Sequence, residues 1–273
     1  MNNRTGLLGN MPIGVKNLLI INIIVFILAY IVRSRFGVVL EDWLALFCVQ
    51  SKDFGIWQYL TYQFMHANFE HIFFNMFALV VFGPVLEQYW GTQKFIFYYL
   101  ACGVGAGILN SLIGTIAVHR MQEAVNLYAQ NPDPDAFIQL CQSTFKGRFN
   151  PEAAAQFVNQ WKDSSSATMA EQSIVLAQQL VDFRANIPTV GASGSIYALL
   201  LAFGMLFPNE RIYVYFLIPM KAKWFVILYG GIELFEGIFR TNDHIAHFAH
   251  LGGMLFGIIL ILYWRKQSLN RWN

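Results

Sequence analysis

Six apolar stretches, each bounded by polar or charged residues, constrain this chain more than any other feature of its sequence. They run roughly over Val15–Val32, His71–Gln88, Phe95–Ile116, Ala192–Phe207, Trp224–Phe239 and Ile245–Trp264. Segments of this kind read as membrane-crossing helices, although several fall short of the roughly 20 residues that a straight span needs. Short or Gly-interrupted segments belong inside a bundle, where irregular backbone faces protein or a water-lined cavity rather than lipid. Composition agrees: 56% of the 273 residues are hydrophobic and 12% charged, against about 25% charged in soluble domains. The expected fold is an all-α polytopic membrane protein with six transmembrane helices. The apolar run Leu18 to Val32 lacks a small-x-small cleavage site, so it reads as a retained first span and not a removed signal.

Orientation follows from lysine and arginine near the span ends. A cytoplasmic N-terminus gathers Arg4, Lys16, Lys94, Arg211, Lys221, Lys223, Arg265, Lys266 and Arg271 on that side. It leaves Arg33, Arg35, Lys52 and Arg240 in the short outer loops. Both termini are then cytoplasmic. The net charge of +2, with no basic stripe carrying interleaved aromatics, argues against a nucleic-acid partner. Cys48, Cys102 and Cys141 show neither CxxC nor metal spacing, and their odd count opposes a full disulfide framework. Cys48 and Cys102 lie in apolar stretches, while Cys141 sits in a polar region with no role assigned.

One stretch breaks the apolar pattern. Residues 117–187 are rich in Gln, Asn, Asp and Ser. Asn150-Pro151, with Glu152 in the first turn, has the chemistry of a helix start. Ala153, Ala154, Phe157, Val158 and Trp161 follow at helical spacing, as do Ile174, Leu176, Ala177, Leu180 and Val181 later. The chain therefore divides into residues 1–116 (spans one to three), a helical extramembrane insertion at 117–187 on the outer side, and residues 188–273 (spans four to six). No internal repeat is evident.

Gly191-Ala192-Ser193-Gly194 opens the fourth span. Alone, a GxSG match is weak, and small residues for helix packing explain it equally well. Its position is more telling. Pro188 and Gly191 break the preceding chain, so Ser193 falls in a first helical turn, whose free backbone N–H groups and positive dipole end suit a developing oxyanion. A serine hydroxyl needs a base, and His250 in the sixth span is one. A histidine in an apolar span is expensive unless it has a use. Gly253 and Gly257 share a helix face with His250, and Gly194 and Ala198 form a matching small face on span four. Ser193 and Tyr197 are one turn apart, which places Tyr197 to pack on the imidazole. On the second span His71 and Asn75 align, with His66 just before the helix; Asn75, an amide donor, suits an oxyanion hole. Asp243 lies at the wrong spacing to orient His250 along one helix. A Ser–His dyad is therefore expected, with Tyr197 and packing in place of an acidic member. Glu233 and Glu236 are costly in span five but receive no chemistry. His244, His247 and His250 recur every third residue and drift around a helix, and His66 to His71 is one residue too long for H-x-x-E-H. No metal site is expected.

Together these residues resemble the rhomboid family. His66-x4-His71-x3-Asn75, Gly191-x-Ser193-Gly194 with Tyr197, and Ala249-His250-Leu251-Gly252-Gly253 stand in that family's order and spacing. The stretches WQYLTYQFMH, EQYWGTQKF and IPMKAKWF also look like rhomboids of the basic six-span bacterial type. The resemblance implies serine-type endopeptidase activity on peptide bonds in or near the transmembrane segments of membrane-protein substrates. It implies Ser193 as nucleophile and His250 as general base, and an oxyanion hole from His66, Asn75 and the Ser193 backbone. From the residues themselves, His71, which could donate or hold water, and Gly191 and Gly194 are read as supporting that site. No cofactor is implied. The partners are transmembrane substrates and the lipid bilayer, in what the compact plan suggests is a bacterial plasma membrane; no oligomeric state follows. The insertion departs from the family plan without interrupting a motif, and is read as an exosite or lid or as a helical decoration. A catalytically silent, client-binding relative is the main alternative, and the presence of both Ser193 and His250 speaks against it. A transporter or channel would be expected to show inverted repeats, and none is evident.

Overall fold

The computed structural model describes residues 11–164, 166–214, 217–239 and 247–270. Arg4, Arg240, Arg271, Asp243 and His244, with the first residues of the sixth apolar segment, lie outside them. In chain order the elements are α1 (Ile13–Phe36), the one-turn helices α2 (Glu41–Leu44) and α3 (Gln58–Thr61) with a 3-10 turn at Tyr62–Phe64, α4 (Phe69–Trp90) and α5 (Thr92–Tyr128). Next come α6 (Pro134–Thr144), α7 (Pro151–Ser164), α8 (Ala167–Ala185) and α9 (Ser193–Leu206). The chain ends with β1 (Arg211–Val214), β2 (Ile218–Lys221), α10 (Ala222–Phe239) and α11 (His247–Asn270). The small antiparallel hairpin β1–β2 is an addition to an otherwise helical architecture.

Each apolar stretch falls on a helix. Among the described residues α1, α4, α5 and α11 are long and apolar enough to cross a membrane by length and composition. α9 is shorter and central: at 14 residues it rises only about 21 Å, less than the roughly 30 Å hydrocarbon core. It packs against α4, α5, α10 and α11, so its short apolar surface is covered by protein. α10 is 18 residues long and carries Lys223, Glu233 and Glu236. Ile24, Ile27, Phe73, Phe77, Ile227 and Ile259 expose large apolar surface, as expected of a membrane-embedded bundle. The chain is an integral membrane protein.

The ends of the helices are held by specific bonds. α1 has no side-chain cap of its own; the buried Glu87 carboxylate at the end of α4 accepts from Gly14 N–H and Val15 N–H, both at 2.8 Å, and from Thr92 Oγ at 2.6 Å. A carboxylate on a helix N-terminus satisfies orphan donors and complements the dipole. Gly91, at φ +80°, turns α4 directly into α5.

α5 continues to Tyr128, past the predicted span end at Ile116. With α6, α7 and α8 it builds a second core from Val125, Tyr128, Phe137, Phe145, Trp161 and Val181. Cys141 is buried in this core, where burial pushes its thiol up to about 11. The polar-looking region thus has a continuous apolar face. Asp133 accepts from Asp135 N–H and Ala136 N–H to start α6, and Asn150 does the same for Glu152 and Ala153 to start α7. Gln122 and Gln178 exchange side-chain hydrogen bonds between α5 and α8.

Candidate active site

The segment before α9 is fixed by backbone bonds. Leu46 and Thr189 exchange N–H···O bonds of 2.9 and 2.8 Å, and Gly191 N–H donates to Tyr62 O at 2.9 Å. Gly191 takes φ +118°, a backbone that side-chain-bearing residues avoid, and a Cβ there would strike the His71 ring. Ser193 follows as the first residue of α9. The predicted first-turn position is what the structure has.

Opposite it, α11 carries His250. Its Nε2 lies 2.8 Å from Ser193 Oγ. The two residues are 57 apart in sequence and meet because α9 and α11 touch backbone to backbone: a methyl on Gly253 would overlap the Gly194 carbonyl, and one on Gly194 would press on the Ala249 carbonyl as well as striking Ala106 of α5. Gly252 and Gly257 pack in the same way against α5. Tyr197 stacks on the His250 ring with centroids 4.2 Å apart and planes 9° from parallel. The geometry lets a hydroxyl pass its proton to an imidazole held in one orientation.

The second-helix residues divide. His71 lines, with Ser193 and His250, a cavity of about 1760 Å³; its N–H donates to Asn68 Oδ1 at 2.8 Å as the α4 cap. His66 stands edge-on to His71 with centroids 5.1 Å apart. His66 and Asn75 are buried, and neither ring nitrogen of His66 nor Asn75 Nδ2 has a hydrogen-bond partner among the described residues. They do not line the cavity with His71. Buried donors without partners are rare and call for an explanation; a ligand group or water that reaches them is the simplest.

An acidic group reaches His250 after all. Glu233 of α10, only 6% exposed, has Oε2 at 2.9 Å from His250 Nδ1 and 2.7 Å from His247 Nδ1. Tyr197 donates its hydroxyl to the other oxygen, Oε1. The approach to His250 is a close contact that becomes an ion pair when the ring is protonated, and it lies off the line of an Nδ1–H bond. The expectation that no acid faces His250 considered one helix only, whereas the carboxylate comes from a neighbouring helix. The cost of a carboxylate in an apolar span was the readable signal. Glu233, His247 and His250 are also a triple that could hold a metal ion, with ligand atoms within 4.8 Å of one another. The 2.7 Å separation of His247 Nδ1 and Glu233 Oε2 already suits a direct N–H···O contact.

The cavity extends from Ser193 and His250 to the insertion, where Arg148, Phe149, Phe183 and Arg184 contribute to its wall. Burial, and for Arg148 also repulsion from Arg184, holds both guanidiniums below the ordinary arginine range. The Arg184 guanidinium forms no hydrogen bond or salt bridge among the described residues.

A serine hydroxyl facing an imidazole at a helix start, inside a helical membrane bundle, is a pairing of the kind nucleophilic catalysis uses. The family model for the Rhomboid domain matches residues 53–119 and 166–267, more than half of the chain, and this protein belongs to the rhomboid family. The matched parts leave out residues 120–165, a narrower gap than 117–187. An uncharacterized mitochondrial rhomboid protein of Schizosaccharomyces pombe is 26% identical over 226 residues, covering 78% of this chain and 53% of that one. The mitochondrial RHOMBOID-like protein 12 of Arabidopsis thaliana is 24% identical over 194 residues, 71% of this chain and 42% of that one. The rhomboid protease GlpG of Haemophilus influenzae is 23% identical over 64 residues, 23% of this chain and 33% of that one. The chain spans about half the length, or less, of these relatives.

Proposed function

We propose that this rhomboid is an intramembrane serine endopeptidase that cuts peptide bonds in or near the transmembrane segments of membrane-protein substrates. The observation that carries the reading is the 2.8 Å pair of Ser193 Oγ and His250 Nε2 at the N-terminus of α9, on the wall of a cavity of about 1760 Å³. In the first step Ser193 Oγ bonds to the scissile carbonyl carbon as its proton moves to His250 Nε2. The oxyanion forms beside the free N–H groups of α9, with Asn75 Nδ2 and His66 as further donors, and His71, Gly191 and Gly194 shape the pocket around it. Collapse breaks the C–N bond, and His250 returns the proton to the departing amine. Water then repeats the sequence on the acyl-enzyme. No cofactor takes part in this scheme. A fluorophosphonate probe tests it: wild type is labelled on Ser193, and Ser193→Ala is not. A folded wild type that resists the probe and leaves transmembrane substrates intact would instead favour a silent client-binding protein.

The domain division at 1–116, 117–187 and 188–273 belongs to the same proposal, with the insertion on the outer side and both termini cytoplasmic. Lysine and arginine placement supports that orientation, and a topology reporter fused to the C-terminus checks it; an outward reporter overturns it. A bacterial plasma membrane rests on the compact six-helix plan, and the mitochondrial relatives weigh against it. We read the insertion wall as an exosite, because it shares the cavity with Ser193 and contributes Arg184, whose guanidinium is unbonded among the described residues. Charged hydrogen bonds contribute about 1.5–3 kcal/mol. Arg184→Ala should therefore raise KM about tenfold for a substrate with an acidic residue outside its span, with kcat held. An unchanged KM for acidic and neutralised substrates alike removes the exosite reading.

A further inference from the structure

Glu233 takes no part in the proton transfers between Ser193, His250 and the leaving amine, yet it sits beside them. It is nearly fully buried in a span, where a carboxylate without partners is strongly disfavoured. Its contacts converge on the base. Oε2 faces the Nδ1 atoms of both His250 and His247, at 2.9 and 2.7 Å. Oε1 takes the hydroxyl of Tyr197, whose ring in turn stacks on His250. Nδ1 is the His250 nitrogen that faces away from Ser193, since Nε2 is the one at 2.8 Å from Oγ.

We propose that Glu233 is a positioning residue of the site, with Tyr197 and His247 as its anchors, so that the serine and histidine work with a third, acidic member supplied by α10. The inference rests on the dyad reading of Ser193 and His250. In the resting state a carboxylate beside Nδ1 keeps the His250 proton on that nitrogen and leaves Nε2 free to accept. When Ser193 Oγ attacks, its proton goes to Nε2, the ring becomes an imidazolium, and Glu233 stabilises the new positive charge without taking the proton. The proton on Nε2 then leaves with the amine, and the ring is neutral again. Tyr197 acts twice, fixing the ring by stacking and the carboxylate by its hydroxyl. Glu233 touches neither substrate nor the reacting oxygen. Its effect therefore falls on the rate of the chemical step and not on substrate binding.

The test is steady-state cleavage of a transmembrane substrate by purified wild type, Glu233→Gln, Glu233→Asp, Ser193→Ala and His250→Ala, with thermal unfolding followed for each. Glu233→Gln should lower kcat about 10²- to 10³-fold with KM within a few-fold of wild type, less than the roughly 10⁴-fold fall that follows when an acid hydrogen-bonded to the histidine is neutralised, because this contact lies off the Nδ1–H line. Glu233→Asp, which keeps the charge on a shorter arm, should recover part of that loss; a purely structural amide defect predicts no such recovery. If the Gln variant does not fold, the Asp variant carries the test, with reduced kcat and unchanged KM. Full wild-type kcat in a folded Gln or Asp variant overturns the proposal. Cleavage that survives Ser193→Ala and His250→Ala would overturn the dyad itself, an outcome distinct from the failure of Glu233 alone.

Discussion

Ser193→Ala reduces cleavage of a transmembrane substrate to background, a fall on the order of 10⁴- to 10⁶-fold, and His250→Ala does the same. The expectation follows from the 2.8 Å contact between Oγ and Nε2. Neither group is reactive alone: the hydroxyl needs a base to shed its proton, and Ser193 Oγ is the hydroxyl that the imidazole meets among the described residues. Because the two act as one unit, the double variant should be no worse than either single one. Ser193 is only half-buried at a helix start, so its alanine variant should unfold at the wild-type temperature. The measurement is single-turnover cleavage in detergent or vesicles. Substantial residual cleavage by Ser193→Ala would move the nucleophile elsewhere.

Gly253→Ala should be the most damaging single methyl in the bundle. The added carbon would overlap the carbonyl oxygen and carbon of Gly194, and no flexible side chain is there to yield. α9 and α11 must part. Overpacking of this kind typically costs about 1–3 kcal/mol. The separation also opens the gap between Ser193 and His250, and a displacement of about 1 Å can reduce rate by about 10²-fold. Gly231→Ala is the control: its methyl would meet nothing within 4 Å, and alanine favours the helix. Activity and thermal unfolding of the two variants, side by side, check the idea. Wild-type behaviour of Gly253→Ala would mean that the close crossing is dispensable.

Some of this was legible residue by residue. The apolar runs announced the helices because burial in lipid or bundle leaves a local, contiguous signature. The starts at Asn150 and Asp133 were set by capping chemistry within three residues, and Asn150-Pro151 was readable as such. The end of α5 was not. Hydropathy falls after Ile116, yet no helix breaker occurs before Asn131-Pro132, so the helix runs on to Tyr128. Polarity marks where a membrane ends and says little about where a helix does. The burial of Cys141 escaped for a related reason: an amphipathic face averages out as polar when composition is read along the chain.

Short stretches of the chain were enough for the family, for the helical membrane class, and for Ser193 and His250 as a pair worth joining. Motif, spacing and the expense of a histidine in a span are all local properties. Which groups touch was settled by the packing of the helices alone. Glu233 could be seen to be costly, but its partners Tyr197, His247 and His250 lie 36, 14 and 17 residues away, and nothing local specifies those distances. They arise where α9, α10 and α11 converge, at an approach set by glycines whose missing side chains let backbones meet. The identity of a residue is local, whereas the field it experiences is summed over every helix packed against it.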